Sequence, residues 1–459
     1  MVNLETSGLV IAAGTYDGVL AGWELKKKKL ELTFATAVHS GSIRNLNIAA
    51  SPTGTEPGAL LSCGYDETLR THDWHKRLTC SGEVRTPSDF GTPVCSSFAP
   101  PTYHSTHCIV GFANGKIVIY KKRDWSVQHV LPGHEGGVGS IAVHPSGKLC
   151  LSGGASDGKL KLWDLTKGRL AFVNKIDPSS TRGGHARYDS IDSLVWSKGG
   201  EFYAIAHGPH ITVRDVSTGK QLLDVNLPSR ANQLALMAGD EGVFVVAACN
   251  DGSLPVLAVE DSDDESRRAI MAIEPVESHL AREERFKCIQ NICGYYVVTA
   301  NSAGVVSLMN LEGAVKMIMS EGDEDEDEGG SNDEESEDGS VEEQDMELAV
   351  DIVDSIQLGT GARITCLTAW CKSGAVEKMG AEETLEGEKD EEMEDGKIKG
   401  STNGVDAPSG DNTLKRKQIG SDITMDAATV KKARSLVEKA KKMKMRKEKK
   451  KRKKSKASN

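Results

Sequence analysis

The sequence lacks the features that mark membrane-spanning and disulfide-rich proteins. No run of 18 apolar residues occurs in its 459 residues, which argues against a transmembrane helix. The ten cysteines form no Cys-x-x-Cys pair, and the closest pairs are Cys288 with Cys293 and Cys366 with Cys371. We expect buried free thiols in a reducing compartment. Because no basic segment precedes the apolar residues 9–13, we interpret them as a strand rather than part of a signal peptide.

The motifs of several enzyme classes are also missing. The chain contains no P-loop, no H-E-x-x-H and no G-x-G-x-x-G pattern. Gly154, Ser156 and Gly158 match the G-x-S-x-G nucleophile elbow, but that elbow requires a strand-to-helix turn, and we expect a strand-to-strand hairpin here. We therefore predict a protein that is not an enzyme and that has no catalytic residue, cofactor, metal site or small-molecule substrate. Aromatic residues make up only 5% of the chain, too few for a stacking platform that reads RNA sequence.

The sequence does contain a turn signal that recurs seven times, at intervals of 43 to 51 residues. A period of this size is typical of a blade repeat. Four of the turn positions precede glycine, and we expect these pairs to supply the two positive-φ positions of a tight hairpin turn. The turn positions are Asp17, Asp66, Asn114, Asp157, Gly208, Asp251 and Ser302. Six residues after each lies a predicted strand end: Trp23, His72, Tyr120, Trp163, Arg214, Leu257 and Leu308.

The first blade of the repeat array lacks one strand, and a late segment of the sequence can supply it. Residues 9–35 supply only three strands, whereas residues 362–370 form an apolar strand with no hairpin partner of its own. We predict that this late strand closes the first blade, because closure removes free sheet edges. The fold class is thus all-β: a seven-bladed β-propeller built from residues 1–318 and closed by a strand at 362–371.

The repeat resembles the WD40 family of β-propellers. The fourth copy carries the resemblance, with Gly133 and His134, then Ser152, Asp157 and Trp163, although Ser152 lies five rather than four residues before Asp157. The resemblance implies that His134, Ser152, Asp157 and Trp163 form a hydrogen-bonded structural tetrad within one blade. A histidine lies 23 residues before the turn position in three copies and 27 before it in another: His134, His185, His279 and, at the longer spacing, His39.

Charge is concentrated outside the predicted ring. The net charge is −11, but residues 321–347 hold 16 acidic residues and no Lys or Arg. Residues 377–395 carry −8 and residues 431–456 carry +14, which leaves −1 for all other residues. We predict an acidic disordered insertion at 319–361, a disordered linker at 372–430 and a basic tail at 431–459, because runs of like charge do not pack into a core.

The two charged appendages suggest partners. The acidic insertion is either a solvating spacer or a surface that holds basic ribosomal proteins or histones, and Ser320, Ser331 and Ser340 are candidate phosphorylation sites because an acidic residue follows each three positions on. The tail is expected to contact the phosphate backbone of RNA and to act as a nuclear or nucleolar address. Its densest part is Lys449, Lys450, Lys451, Arg452, Lys453 and Lys454.

Two segments resemble one particular group of WD40 proteins. Residues 144–176 and 362–370 resemble the fourth blade and the last strand of the PAK-interacting protein 1-like WD40 proteins. This resemblance implies a scaffold in the nucleus and nucleolus that assembles the large (60S) ribosomal subunit, with pre-60S ribosomal proteins, assembly factors and rRNA as partners. It leaves two alternatives open: an adaptor that binds and restrains a p21-activated kinase, and a histone-binding chromatin protein. No membrane partner is expected.

Overall fold

The computed structural model describes residues 8–51, 56–74, 78–101, 104–176, 190–239, 242–259, 270–273, 285–321 and 350–372. The chain divides into two units, Met1–Glu386 and Gly387–Asn459. All of the described residues belong to the first unit. Among them, no helix is long and apolar enough to cross a membrane.

Seven four-stranded antiparallel sheets, the blades, make up the first unit. Blade 1 combines the last strand of the chain with the first three; each later blade uses four strands in chain order. The strands are β1 Val10–Thr15, β2 Val19–Lys26, β3 Lys29–Ala37, β4 Ile43–Ala50, β5 Pro57–Gly64, β6 Thr68–Asp73, β7 Thr79–Arg85, β8 Pro93–Ala99, β9 His107–Phe112, β10 Ile117–Lys121, β11 Val127–Leu131, β12 Val138–Val143, β13 Leu149–Gly154, β14 Lys159–Asp164, β15 Arg169–Lys175, β16 Ser193–Trp196, β17 Phe202–His207, β18 His210–Asp215, β19 Gln221–Asn226, β20 Ala231–Gly239, β21 Gly242–Cys249, β22 Leu254–Ala258, β23 Ile270–Ile273, β24 Phe286–Cys293, β25 Tyr296–Asn301, β26 Val305–Asn310, β27 Asp351–Gln357 and β28 Ile364–Trp370.

The blades form a closed ring around a central channel. The inner strands β28, β4, β8, β12, β16, β20 and β24 each contact the inner strand of the next blade, and β24 contacts β28 to complete the circle. The second strands are almost fully buried between neighbouring blades, as in β9, where Cys108, Ile109 and Val110 have no exposed surface. The outer strands face solvent; in β15 six of the seven residues are exposed. Burial thus falls from the second strand of a blade towards its rim.

The last strand closes the ring, as predicted. Strand β28 pairs antiparallel with β1, with Val10 opposite Trp370 and Ala13 opposite Leu367. The Thr365 hydroxyl also donates to the Gly14 carbonyl at 3.0 Å. Strands from the first 40 residues and from residues 364–370 therefore share one sheet, and the predicted all-β, seven-bladed propeller with this closure is confirmed.

All seven predicted turn positions lie in the turn between the second and third strands of a blade, but the turn geometry differs from the prediction. Among the four pairs with glycine, only the glycine has a positive φ, for example Gly18 at 78° and Gly115 at 91°. The loop at Gly18 holds three residues and the other three loops hold four, rather than two, and each places its glycine in the left-handed region. Gly115 also lies against the His134 carbonyl, where a Cβ would come within 1.8 Å of the oxygen.

The acidic insertion is shorter than predicted, because both of its predicted ends form regular structure in blade 7. The helix α1 (Glu312–Glu321) follows β26, and the strand β27 (Asp351–Gln357) is the outer strand of the same blade. Ala314, Val315 and Ile318 of α1 are buried against the core, so the chain is anchored on both sides of the acidic segment. The ends of the predicted insertion at 319–361 therefore belong to blade 7, and residues 322–349 lie outside the described part of the chain.

Candidate partner-binding surface

Blade 4 contains one buried chain of hydrogen bonds through four side chains. The Trp163 indole donates to the Ser152 hydroxyl at 2.8 Å, and Ser152 lies 2.7 Å from His134 Nε2. His134 Nδ1 lies 3.1 Å from Asp157 Oδ2. Because the indole can only donate, the consistent direction runs from Trp163 through Ser152 and His134 to Asp157. The structure thus brings together the four residues that the WD40 resemblance assigns to a tetrad.

His134 and Asp157, the last two residues of this network, both have a lowered pKa, but for different reasons. Burial lowers the pKa of His134, although Asp157 acts to raise it. Burial acts to raise the pKa of Asp157, but hydrogen bonds from the Lys159 amide, His134 and the Glu135 amide outweigh it and leave that pKa lowered. A neutral imidazole beside an ionised carboxylate follows. The carboxylate fixes the turn between β13 and β14 to the loop that enters the blade.

Blade 2 contains a second network of the same kind, which the sequence reasoning missed. His39 Nδ1 lies 2.9 Å from Asp66 Oδ1, and His39 Nε2 lies 2.8 Å from the Ser62 hydroxyl. The Nε2 atom of His72 lies 2.9 Å from Ser62 and takes the place of the tryptophan indole. A serine four residues before the Asp66 turn position was the available signal. Burial lowers the pKa of His72 to about 4, so its ring is neutral and can donate from Nε2.

Blade 5 fixes its turn by a different contact. Asp192 accepts a hydrogen bond from the Gly208 amide at 3.0 Å and forms an ion pair with Arg230, whose Nη2 lies 2.6 Å from Asp192 Oδ1. Three blades therefore use a carboxylate to tie a turn on this face to an adjacent loop. The upper face, defined as the face with the turns between second and third strands, is a rigid platform as a result.

Two exposed tyrosines stand on the upper face at the edge of the channel. Tyr16 is 62% exposed and Tyr65 is 60% exposed, and each immediately precedes the aspartate of its turn. Their backbones are fixed: the Tyr16 amide donates to the Arg363 carbonyl at 2.9 Å, and the Tyr65 amide donates to the Ser42 carbonyl at 2.8 Å. Exposed rings on a fixed backbone have the properties of binding hot spots, since little entropy is lost when a partner covers them.

Two exposed arginines belong to the same region of the upper face. Arg44 is exposed and lines the channel together with Tyr16 and Tyr65, and Arg363 is exposed in the loop that enters β28. We call Tyr16, Tyr65, Arg44 and Arg363 the tyrosine patch. The channel itself encloses a cavity of about 1900 Å³. The tyrosine patch can bind a protein surface through aromatic contacts and hydrogen bonds to acidic or carbonyl groups. A Tyr-Asp pair at two of the seven turn positions was the sequence signal for it.

Blade 4 offers a second exposed surface, on its outer strand. Leu170, Phe172 and Val173 of β15 are exposed, although strands of this kind usually present polar side chains at the rim. Ser156, from the G-x-S-x-G pattern, lies on the turn between β13 and β14, and its hydroxyl donates to the Glu135 carbonyl at 3.3 Å. The turn joins two strands, whereas a nucleophile elbow joins a strand to a helix.

Several predicted site residues cannot be placed. Ser320 is in the last turn of α1, where its side chain is not described. The residues outside the described ranges are His185, His279, Ser331, Ser340, Lys449, Lys450, Lys451, Arg452, Lys453 and Lys454. Within the described ranges, no group of three or more His, Cys, Asp or Glu side chains could hold a metal ion.

Comparison with known proteins agrees with this architecture. Residues 125–164 match the family described as WD domain, G-beta repeat, which here covers the end of blade 3 and the first three strands of blade 4. A p21-activated protein kinase-interacting protein 1-like protein of Xenopus laevis is 24% identical over 80% of this chain and 84% of its own length.

Two fungal relatives match over shorter stretches. Shk1 kinase-binding protein 15 of Schizosaccharomyces pombe is 31% identical over 38% of this chain and 47% of its own length. Protein MAK11 of Saccharomyces cerevisiae is 21% identical over 55% of this chain and 64% of its own length. The predicted resemblance is confirmed: this seven-bladed β-propeller matches the WD40 repeat over residues 125–164 and is similar over most of its length to the p21-activated protein kinase-interacting protein 1-like proteins.

Proposed function

We propose that this protein is a non-enzymatic scaffold in the assembly and maturation of the large (60S) ribosomal subunit precursor and its rRNA. The observation that carries the proposal is the combination of a closed, near-neutral ring with a C-terminal segment of charge +14. A rigid ring presents several loops to protein partners at once, whereas a dense cationic tail binds the phosphate backbone without reading sequence. A factor that assembles protein with RNA needs both properties.

The ring supplies the protein-binding part. Its tyrosine patch is held on a platform that the networks at Asp66 and Asp157 fix. We propose that pre-60S ribosomal proteins or assembly factors dock there, with Tyr16 and Tyr65 as the anchors. The substitutions Tyr16→Ala and Tyr65→Ala together remove the exposed rings but no buried contact, so the ring should still fold.

The basic tail is the RNA-binding part of the protein and also the signal that retains it in the nucleolus. Residues Lys449 to Lys454 are six consecutive cationic side chains, which fits both contact with rRNA phosphates and retention in the nucleolus. Imaging of a fluorescent fusion protein in cells tests the role of the tail in nucleolar localisation. Neutralisation of these six residues should disperse the protein from nucleoli, and unchanged retention would contradict the targeting role.

The acidic segment between α1 and β27 is proposed to hold basic partners. The described residues on its two sides, α1 and β27, both belong to blade 7. Basic ribosomal proteins, which carry exposed Lys and Arg before they reach rRNA, have the complementary charge. Phosphorylation of Ser331 or Ser340 would increase the negative charge of the segment.

The decisive experiment is affinity purification of the tagged protein at moderate salt, with and without RNase. The proposal predicts co-purification of large-subunit precursors: precursor rRNA, large-subunit proteins and their assembly factors. The Tyr16→Ala, Tyr65→Ala double variant should lose protein partners that survive RNase. Recovery of a kinase or histones without precursor rRNA would contradict the proposal.

The second candidate function is kinase regulation. The names of two relatives, p21-activated protein kinase-interacting protein 1-like and Shk1 kinase-binding protein 15, favour it. In that case the ring would bind a kinase, and the tail would be dispensable. A variant with Lys449 to Lys454 neutralised distinguishes the two: the kinase candidate predicts full retention of the partner, whereas the ribosomal scaffold predicts loss of precursor rRNA.

A further inference from the structure

Two cysteines that are 78 positions apart in the sequence lie where blade 7 contacts blade 1, a contact that we call the seam of the ring. Cys293 is the last residue of β24 in blade 7, and Cys371 follows the end of β28 in blade 1. The side-chain amide of Gln290 joins the two inner strands at this seam. Its nitrogen donates to the Ala369 carbonyl at 3.0 Å, and its oxygen accepts from the Ala369 backbone N–H at 2.8 Å.

The same register places the Cys371 side chain beside the end of β24. Two residues beyond Gln290 and Ala369, the Cys371 thiol donates to the Ile292 carbonyl, with the sulfur 3.6 Å from the oxygen. That carbonyl belongs to the peptide bond that Ile292 forms with Cys293, and both cysteines pack against the core cluster shared by blades 7 and 1. Both residues are half-buried, unlike the fully buried Cys288 and Cys366 nearby. Cys371 lines the channel opening, as does Lys198.

The electrostatics of the pair favour reaction at one sulfur. The neighbouring Cys371 thiol lowers the pKa of the Cys293 thiol to about 7, and Lys198 acts in the same direction. The neighbouring Cys293 thiol and burial both raise the pKa of Cys371. A substantial fraction of Cys293 is therefore thiolate at neutral pH, and the thiolate is the nucleophile in thiol–disulfide exchange.

We propose that Cys293 and Cys371 are a reversible oxidation site, where a disulfide ties the closing strand β28 to blade 7. The oxidant is a small-molecule disulfide such as glutathione disulfide. The Cys293 thiolate attacks one sulfur and releases one glutathione thiolate; Cys371 then loses its proton and attacks the Cys293 sulfur, which releases the second. One small-molecule disulfide is reduced to two thiols, and the two cysteines are oxidised to one disulfide.

The consequence concerns ring closure. Strand β28 is joined to the rest of blade 1 by its ladder to β1 and to blade 7 by side-chain contacts. A covalent bond across the blade 7 seam would prevent β28 from leaving the ring and would fix the point from which the chain continues beyond Lys372. Oxidation should therefore stabilise the ring against unfolding, because the crosslink restricts the unfolded chain.

The test uses the full chain, reduced and then equilibrated in buffers with increasing ratios of glutathione disulfide to glutathione. Peptide mapping by mass spectrometry should find a crosslink between Cys293 and Cys371, with the loss of two hydrogens from the intact mass. Thermal unfolding should shift upwards by about 5 °C, and dithiothreitol should reverse the shift.

Variants separate this site from general thiol chemistry. Cys293→Ser and Cys371→Ser should each abolish the shift, whereas Cys80→Ser, at an exposed cysteine away from the seam, should retain it. The mapping needs no variant, so it stands even if one fails to fold. The proposal is overturned if the wild-type chain forms no Cys293–Cys371 crosslink under conditions that attach glutathione to Cys80, or if the crosslink leaves the unfolding temperature unchanged.

Discussion

Ser152 is the shared partner of two buried polar side chains, so its loss should cost more than one hydrogen bond. Ser152→Ala would leave the Trp163 indole and His134 Nε2 without their partner at a site from which water is excluded. We expect the free energy of unfolding to fall by about 2–3 kcal/mol, the cost of unsatisfied buried groups. Urea unfolding measures it. Ser156→Ala, at an exposed serine of the same blade, should change it by less than about 0.5 kcal/mol.

Buried histidines predict how stability depends on pH. Burial lowers the pKa of His72 to about 4, below the value of about 6.5 in the unfolded chain. The unfolded state therefore binds more protons between these values, and the stability that neutral His72 contributes is lost as pH falls from 6.5 towards 4. We expect unfolding free energies measured at pH 7, 6 and 5 to decrease steadily, by about 2 kcal/mol for this residue at pH 5.

The substitution His72→Gln tests the assignment to this residue. Glutamine keeps a donor for the Ser62 hydroxyl but does not titrate, so the decrease between pH 7 and pH 5 should become smaller. His107→Gln, at a half-buried histidine outside the network, is the matched control and should retain the wild-type slope. Equal slopes for wild type and His72→Gln would show that His72 is not the group responsible.

At the scale of strands and helices, the sequence predicted the repeated parts and missed the exceptions. Every predicted turn position lies between the second and third strands of its blade, and every residue predicted as a strand end lies in the third strand, because a hairpin turn leaves a local signal. Strand β27 was missed: its sequence follows an acidic run, and most of its side chains remain exposed, so no apolar pattern marks it. The seam of the ring and the Cys293–Cys371 contact depend on tertiary register, which no local pattern encodes.

The closing strand is short but should determine whether the whole ring is stable. Leu367 of β28 is buried opposite Ala13 of β1, in the core between blades 7 and 1. Leu367→Ala should lower the unfolding free energy by about 2–4 kcal/mol. The same truncation at Ile352 of β27, which is 47% exposed, should cost less than about 0.5 kcal/mol. Similar urea midpoints for the two variants would mean that β28 is dispensable for stability.

For the molecule as a whole, the ring and the basic tail should contribute to RNA binding in separable ways. The ring is near neutral and the tail carries +14, so the affinity for an rRNA fragment should fall steeply as salt rises. Replacement of Lys449, Lys450, Lys451, Arg452, Lys453 and Lys454 by Gln should reduce the slope of log affinity against log salt by about 4, at ~0.7 per phosphate contact. The Tyr16→Ala, Tyr65→Ala variant should keep the wild-type slope, because it removes no charge. Filter binding from 50 to 300 mM salt measures both. If the variant with the neutralised tail keeps the wild-type slope, the RNA contacts must lie on the ring. The tail would then serve only as a localisation signal.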